Sequence, residues 1–181
     1  FKNEPQLDPT VFTLDHVFSD VDSEQEIYDL VGAPLVRRAL DARTGVIFAY
    51  GQTGSGKTHT MNHIMDRMAV DLCADLAARP VRFSYLEILG NELTDTLWDG
   101  SAAPAAAEDK GAAGAAGKHQ HQHAVKMGEA ESGAVELRGL GEHNVTSADH
   151  LLALIARAKA KRCVAATEMN GASSRSHGVA L

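Results

Sequence analysis

An α/β fold is predicted, with a central sheet, mainly parallel or mixed, flanked by helices, and three observations predict it. Apolar, β-prone runs alternate with stretches whose apolar residues recur at three-and-four spacing, the strand, helix, strand, helix order of layered α/β domains. The 181 residues are 44% hydrophobic, enough for one core in a single domain spanning 1–181. A glycine-rich turn at 51–58 joins the most apolar of the strand-like runs to a helical pattern. Function classes are narrowed at the same time. The net charge of −7 argues against a dedicated nucleic-acid binder, which would need a basic excess to neutralise phosphates. No apolar run reaches the roughly 18 residues of a membrane span. Two cysteines, Cys73 and Cys163, are too few for a disulfide framework, so a reducing, cytoplasmic setting is expected.

The first segment, 11–18, reads as extended. Ser23 and Glu26 have the spacing of a capping box, so a helix should begin at Ser23. Its core-facing stripe is Ile27, Leu30, Val31, Leu35, Val36 and Leu40, with Pro34 expected to kink or break it. Val46, Ile47, Phe48, Ala49 and Tyr50 have the length and composition of a central strand buried on both faces. From Thr58, the residues Met61, Ile64, Met65, Met68, Leu72 and Leu76 return at helical spacing until Pro80. Residues 81–89 are β-prone and end at the turn pair Gly90-Asn91, beyond which 93–98 are again apolar. A strand broken by Gly139 and Gly141 is expected over 135–145. Ser147 is placed to cap a last helix carrying Leu151, Leu152, Leu154, Ile155 and Ala158.

Residues 101–134 stand apart. Alanine and glycine dominate, then His119, His121 and His123 alternate with glutamine, and large apolar residues are nearly absent. Such a stretch cannot offset the entropy of ordering itself, so it reads as a disordered insertion in a surface loop. The three histidines lack a carboxylate or cysteine to complete a metal shell, and no metal is assigned to them.

The chemistry is concentrated in Gly51-Gln52-Thr53-Gly54-Ser55-Gly56-Lys57-Thr58, which fits G-x-x-x-x-G-K-S/T, directly after a strand-like run and directly before a helix. A chance Gly/Ser turn is the competing reading; the flanks oppose it. Glycines let loop amides turn inward around phosphate oxygens, and the helix beginning near Lys57 aims its free N–H groups at the same anion. Lys57 would reach the β- and γ-phosphates of a nucleotide. Thr58 offers the hydroxyl such loops use to hold Mg²⁺. A nucleoside triphosphate with Mg²⁺ is therefore the expected ligand.

Here the residues carry a family resemblance. The stretch from Ala49 to Met61, reading A-Y-G-Q-T-G-S-G-K-T-H-T-M, resembles the phosphate loop of kinesin motor domains. Asn170-Gly171-Ala172-Ser173-Ser174-Arg175-Ser176-His177 is similar to that family's switch I, N-x-x-S-S-R-S-H. Softer matches lie at 12–18, 84–88 and 162–169. The resemblance implies an incomplete motor domain of P-loop NTPase type: an ATP-hydrolysing microtubule motor located on the cytoskeleton. By that resemblance Ser173 and Ser174 close over the γ-phosphate, with Ser174 and Thr58 the metal contacts. Asn170 orders the switch and the attacking water, Arg175 pairs with a glutamate of a second switch, and His59 lies beside the adenine ring. Gln52, Thr53, Gly54, Ser55, Gly56 and Lys57 complete the nucleotide contacts.

The resemblance also implies elements beyond Leu181, among them a D-x-x-G strand and the main microtubule-binding surface, so the chain reads as the first half of a motor domain within a longer protein. Its one D-x-x-G, Asp29-Leu30-Val31-Gly32, lies on the first helix and cannot serve. Any homodimer would form through coiled coils outside this chain. A non-motile nucleotide-binding or interaction module derived from such a motor is the alternative. Arg157, Lys159, Lys161 and Arg162 are read as complementing the C-terminal dipole of the last helix rather than touching a track.

Overall fold

The computed structural model describes residues 10–99, 123–168 and 176–181, with side chains left aside over 163–168. Helical structure starts where the capping box predicts. Ser23 accepts from the Glu26 backbone N–H at 3.2 Å, and Glu26 reaches back to the Ser23 N–H at 2.7 Å, opening α1 at Glu24–Ile27. Pro34 does not break the stripe. One π-helical turn, Tyr28–Gly32, widens the spiral just ahead of it, so that Pro34 falls in the first turn of α2, Ala33–Leu40, where a missing N–H costs nothing. The D-x-x-G sequence lies within that π turn, with Asp29 accepting from Gln25 at 2.7 Å.

The helix α3 runs unbroken over Lys57–Leu72, and α4 over Ala148–Glu168. Ser147 caps α4 as predicted, its hydroxyl accepting from the His150 N–H at 3.0 Å. The strands are β1 at Arg82–Phe83, β2 at Tyr85–Leu89, β3 at Glu92–Asp95, β4 at His123–Glu129, β5 at Val135–Arg138, β6 at His143–Asn144 and β7 at Ser176–Ala180. They form a β1–β6 pair and a five-stranded sheet in the order β5-β4-β3-β2-β7. Every strand pair among the described residues is antiparallel, where a mainly parallel or mixed sheet was expected. A hairpin joins β2 to β3, with Gly90 turning at φ +60°, another joins β4 to β5 across 130–134, and β7 returns after α4 antiparallel to β2.

Two expectations are corrected. Part of the 101–134 insertion is ordered: β4 begins at His123, pairs Val125 with Leu93 and buries Val125, while 100–122 lie outside the described residues. Backbone pairing and the stacking of His123 on Trp98, with ring centroids 5.0 Å apart, supply what the composition seemed to lack. The strand expected at 46–50 has no ladder among the described residues. Val46, Phe48 and Tyr50 are exposed, as are Val11, Phe12, Leu14 and Val17 in the segment expected to be extended.

The core lies where α4 meets α3 and the start of the sheet. Leu151, Leu154, Ile155 and Ala158, spaced along one face of α4, pack with Ala69 of α3 and with Phe83, Tyr85, Leu97 and Val145. Leu97 and Ala158 are completely enclosed, at 0% exposure. Burying a leucine side chain in this way is worth about 2 kcal/mol. Met65 fills in around the cluster from α3, while Leu76, expected on a helix running to Pro80, packs there from the turns at 73–78, since α3 stops at Leu72.

Candidate functional site

The glycine loop is open to solvent and leads straight into α3. Gly54 and Gly56 sit at φ +84° and +83°, a left-handed conformation that a β-carbon would strain, and Gly56 is the N-cap of α3. No side chain caps that end, so its first N–H groups are available to an anion. Lys57 Nζ donates to the Gln52 carbonyl at 2.6 Å, and the Ser55 N–H turns back on the same carbonyl at 3.3 Å. This tether holds the ammonium across the mouth of the loop. Two of its three protons remain for phosphate oxygens. Thr58, one residue on, is exposed at the same helix end. Among the described residues no three His, Cys, Asp or Glu side chains converge on a cation position. The residues present therefore fit a cation carried by nucleotide phosphates and the Thr58 hydroxyl rather than by a carboxylate cage.

His59 and His63 stand one turn apart on α3, and Glu24 at the start of α1 bridges them. Its two carboxylate oxygens lie 3.3 Å from His59 Nε2 and 2.7 Å from His63 Nδ1. The imidazole expected beside a base is thus also the point where α1 is fastened to the phosphate-loop helix. A second fastening lies lower down: Tyr28 donates to Asp71 with its ring under the Arg67 guanidinium. Burial, with that bond, pushes the Tyr28 phenol above its ordinary range.

Across α3 lies α4, the helix that leads toward the second motif. Lys159 Nζ donates to Asn62 Oδ1 at 2.6 Å, and burial lowers the Lys159 pKa against the opposing pull of Asp66. Of the second motif, Asn170, Ser173, Ser174 and Arg175 lie outside the described residues. Ser176 and His177 open β7, paired with Leu89 and Ile88.

The basic cluster on α4 is neither a dipole complement nor a free surface. The helix continues to Glu168, which puts the cluster in its middle, and all four side chains are engaged within the fold. Arg157 and Lys161 donate to the carbonyls of Leu97 and Trp98 at 3.0 and 2.8 Å, capping the chain end of β3 where 100–122 begins. Arg162 reaches Glu87 and Ser176. Sequence reasoning named Arg162 in the basic cluster without pairing it to Glu87, because the signal is a contact between residues 75 apart in the chain, which no local pattern encodes.

A family model described as the kinesin motor domain matches residues 2–181. Among relatives, kinesin-like protein KIN-5B of Arabidopsis thaliana is 33% identical over 93% of this chain and 17% of its own length. Chromosome-associated kinesin KIF4 of Xenopus laevis is 30% identical over 93% of this chain and 14% of its own. Among solved structures, that of a fast kinesin superposes with a TM-score of 0.75 at 28% identity, covering 93% of this chain and 46% of that one. A KIF14 dimer bound with AMP-PNP to a microtubule gives 0.66 at 27% identity, covering 88% and 43%. The chain spans less than a fifth of these curated relatives and under half of the solved motors. With the glycine loop on the helix it should cap and the family match running nearly end to end, the chain belongs to the kinesin motor domain family, with that family's P-loop NTPase fold.

Proposed function

We propose that the chain is the nucleotide-binding part of a kinesin-type motor that binds ATP with Mg²⁺, hydrolyses it and works on microtubules at the cytoskeleton. The observation that carries this reading is the loop itself: left-handed Gly54 and Gly56, an uncapped helix end, and Lys57 tethered to the Gln52 carbonyl with protons to spare. In this reading Gln52, Thr53, Gly54, Ser55 and Gly56 cradle the phosphates, and Lys57 supplies a charge to the β- and γ-positions. His59 lies along the base. Thr58 and Ser174 would hold the Mg²⁺ that accompanies ATP, which would supply the remaining counter-charge. Ser173, Ser174, Asn170 and Arg175 belong to the segment that answers the γ-phosphate.

The second reading, a nucleotide-binding module without motility or appreciable hydrolysis, draws support from the exposed apolar side chains of 46–50. Among the described residues no ladder neighbour holds the run that leads into the loop, and a loop so held is poorly preorganised for catalysis. Equilibrium titration with MgATP decides the shared part of both readings. Lys57→Ala is expected to weaken binding at least about a hundredfold, since the lost ion contact is worth several kcal/mol. Unchanged affinity would remove the loop assignment. Phosphate release from the same chain, with and without microtubules, separates motor from module.

A further inference from the structure

The five-stranded sheet ends at β5, and among the described residues no strand lies on its outer side. The Ala130 N–H donates to the Ala134 carbonyl at 2.8 Å inside the β4–β5 hairpin, which fixes the phase of that ladder. Counting on by twos, Glu136 and Arg138, opposite Gly128 and Lys126, aim their backbone groups at β4. Val135 and Leu137 therefore turn N–H and C=O to the free edge, a template for another strand. The side chains divide between two faces. Leu137 stands opposite Met127 and Val135 opposite Glu129, so Met127, Leu137 and Val135 share one face, where Met127 and Val135 are 66% and 71% exposed. The other face carries Glu136 and Arg138, exposed and joined at 3.0 Å, with only Gly128 across from Glu136 on β4.

We propose that β5 is a pairing edge for a second copy of this chain, the two strands running antiparallel about a two-fold axis at Leu137. An edge paired with itself needs a centre whose N–H and C=O face outward, so that each meets its counterpart across the axis. Val135 and Leu137 both qualify. Charge decides between them: a centre at Leu137 sets Glu136 of each copy against Arg138 of the other, whereas a centre at Val135 sets Glu136 against Ala134. With the axis at Leu137, Met127 and Leu137 of both copies also form one apolar row across four strands. A second copy fits this edge because the edge complements itself in register, in charge and in its apolar row. The contact is only four residues long, well short of the roughly 1,200 Å² of a stable interface, so the dimer is weak, with a dissociation constant on the order of 100 μM. It depends neither on the nucleotide reading nor on coiled coils beyond this chain.

Sedimentation equilibrium of the 181-residue chain, followed from micromolar to millimolar concentration, tests the pairing. Wild type is expected to pass from monomer to dimer. Glu136→Arg and Arg138→Glu each set like charges across the axis and should weaken self-association at least about tenfold. Mixed together, the two variants present paired arginines to paired glutamates, and association should return to at least the wild-type level. Hairpins misfolded by the substitutions could not recover in this way. Leu137→Pro removes only an outward N–H, so the β4 bonds stay while the dimer is lost. A wild-type chain still monomeric at about 1 mM, far above the dissociation constant expected for so small a contact, overturns the inference. A dimer that survives Leu137→Pro, or charge variants whose mixture stays monomeric, overturns it equally.

Discussion

Tyr85–Leu89 and 46–50 are five-residue, apolar, β-prone runs of the same kind, and the structure treats them oppositely. The first has ladder neighbours on both sides, β3 and β7, and buries Tyr85, Leu86 and Glu87. The second has no ladder among the described residues and leaves Phe48 and Tyr50 exposed at 83% and 95%. The difference teaches that a strand is a property of a pair. A run of Val, Ile, Phe and Tyr favours a pleated, half-buried surface, but only a neighbour satisfies its backbone N–H and C=O groups and covers its side chains. The helices escape this dependence because their hydrogen bonds close within the segment, so α3 forms over Lys57–Leu72 directly after a run that has no ladder among the described residues.

Substitutions on the two sides of that comparison should differ most of all. Leu86→Ala empties a buried site on β2 and is expected to cost about 2–5 kcal/mol in urea unfolding, whereas Phe48→Ala should stay within about 0.5 kcal/mol. Comparable losses would mean that 46–50 is covered in solution and that the contrast does not hold. A smaller effect probes how the first helices are fastened to α3. Tyr28→Phe removes the hydroxyl bonded to Asp71 while keeping the ring under Arg67, and about 1 kcal/mol of thermal stability should go with it. An unchanged melting point would leave the aromatic packing as the sole tie at that place.

The smallest expected effect concerns acid. The backbone N–H and hydroxyl of Ser23 hold the Glu26 carboxyl below its ordinary range. Its folded value is depressed, so its contribution is present above the unfolded value and is lost as pH falls through the folded one. The protection of α1 amides, taken against intrinsic exchange at each pH, should therefore fall on acidification through the carboxylate range in wild type. The fall should be flatter in Glu26→Gln, which is expected to start from a weaker cap. Identical acid profiles would show that the capping box does not govern how that helix frays.

Much of the candidate site was legible locally. Gly51 to Thr58 reads as an anion loop because the spacing of its glycines and lysine suits such a backbone path, and the structure has Gly54 and Gly56 left-handed, with Gly56 at the helix start. The caps at Ser23 and Ser147 and the Gly90 turn are equally short-range, each depending on residues within four positions. The fate of the 101–134 segment was only half legible. Composition describes how much core a stretch can form by itself, and β4 needs none of its own, since it borrows a ladder from β3 and a stacking partner from Trp98.

What the chain of residues determined unaided is therefore the set of features closed within a turn or two: the capped helix starts, the left-handed glycine turn ahead of α3, the Gly90 turn, and the motifs that mark a kinesin motor domain. What only the tertiary structure decided is which strands find neighbours, and where the charges of α4 are spent. Arg162 looks like any helix arginine until Glu87 and Ser176 are brought against it. Contacts of that kind depend on the free energy of closing long loops and burying shared surface, quantities that belong to pairs of distant segments and are written in neither one alone.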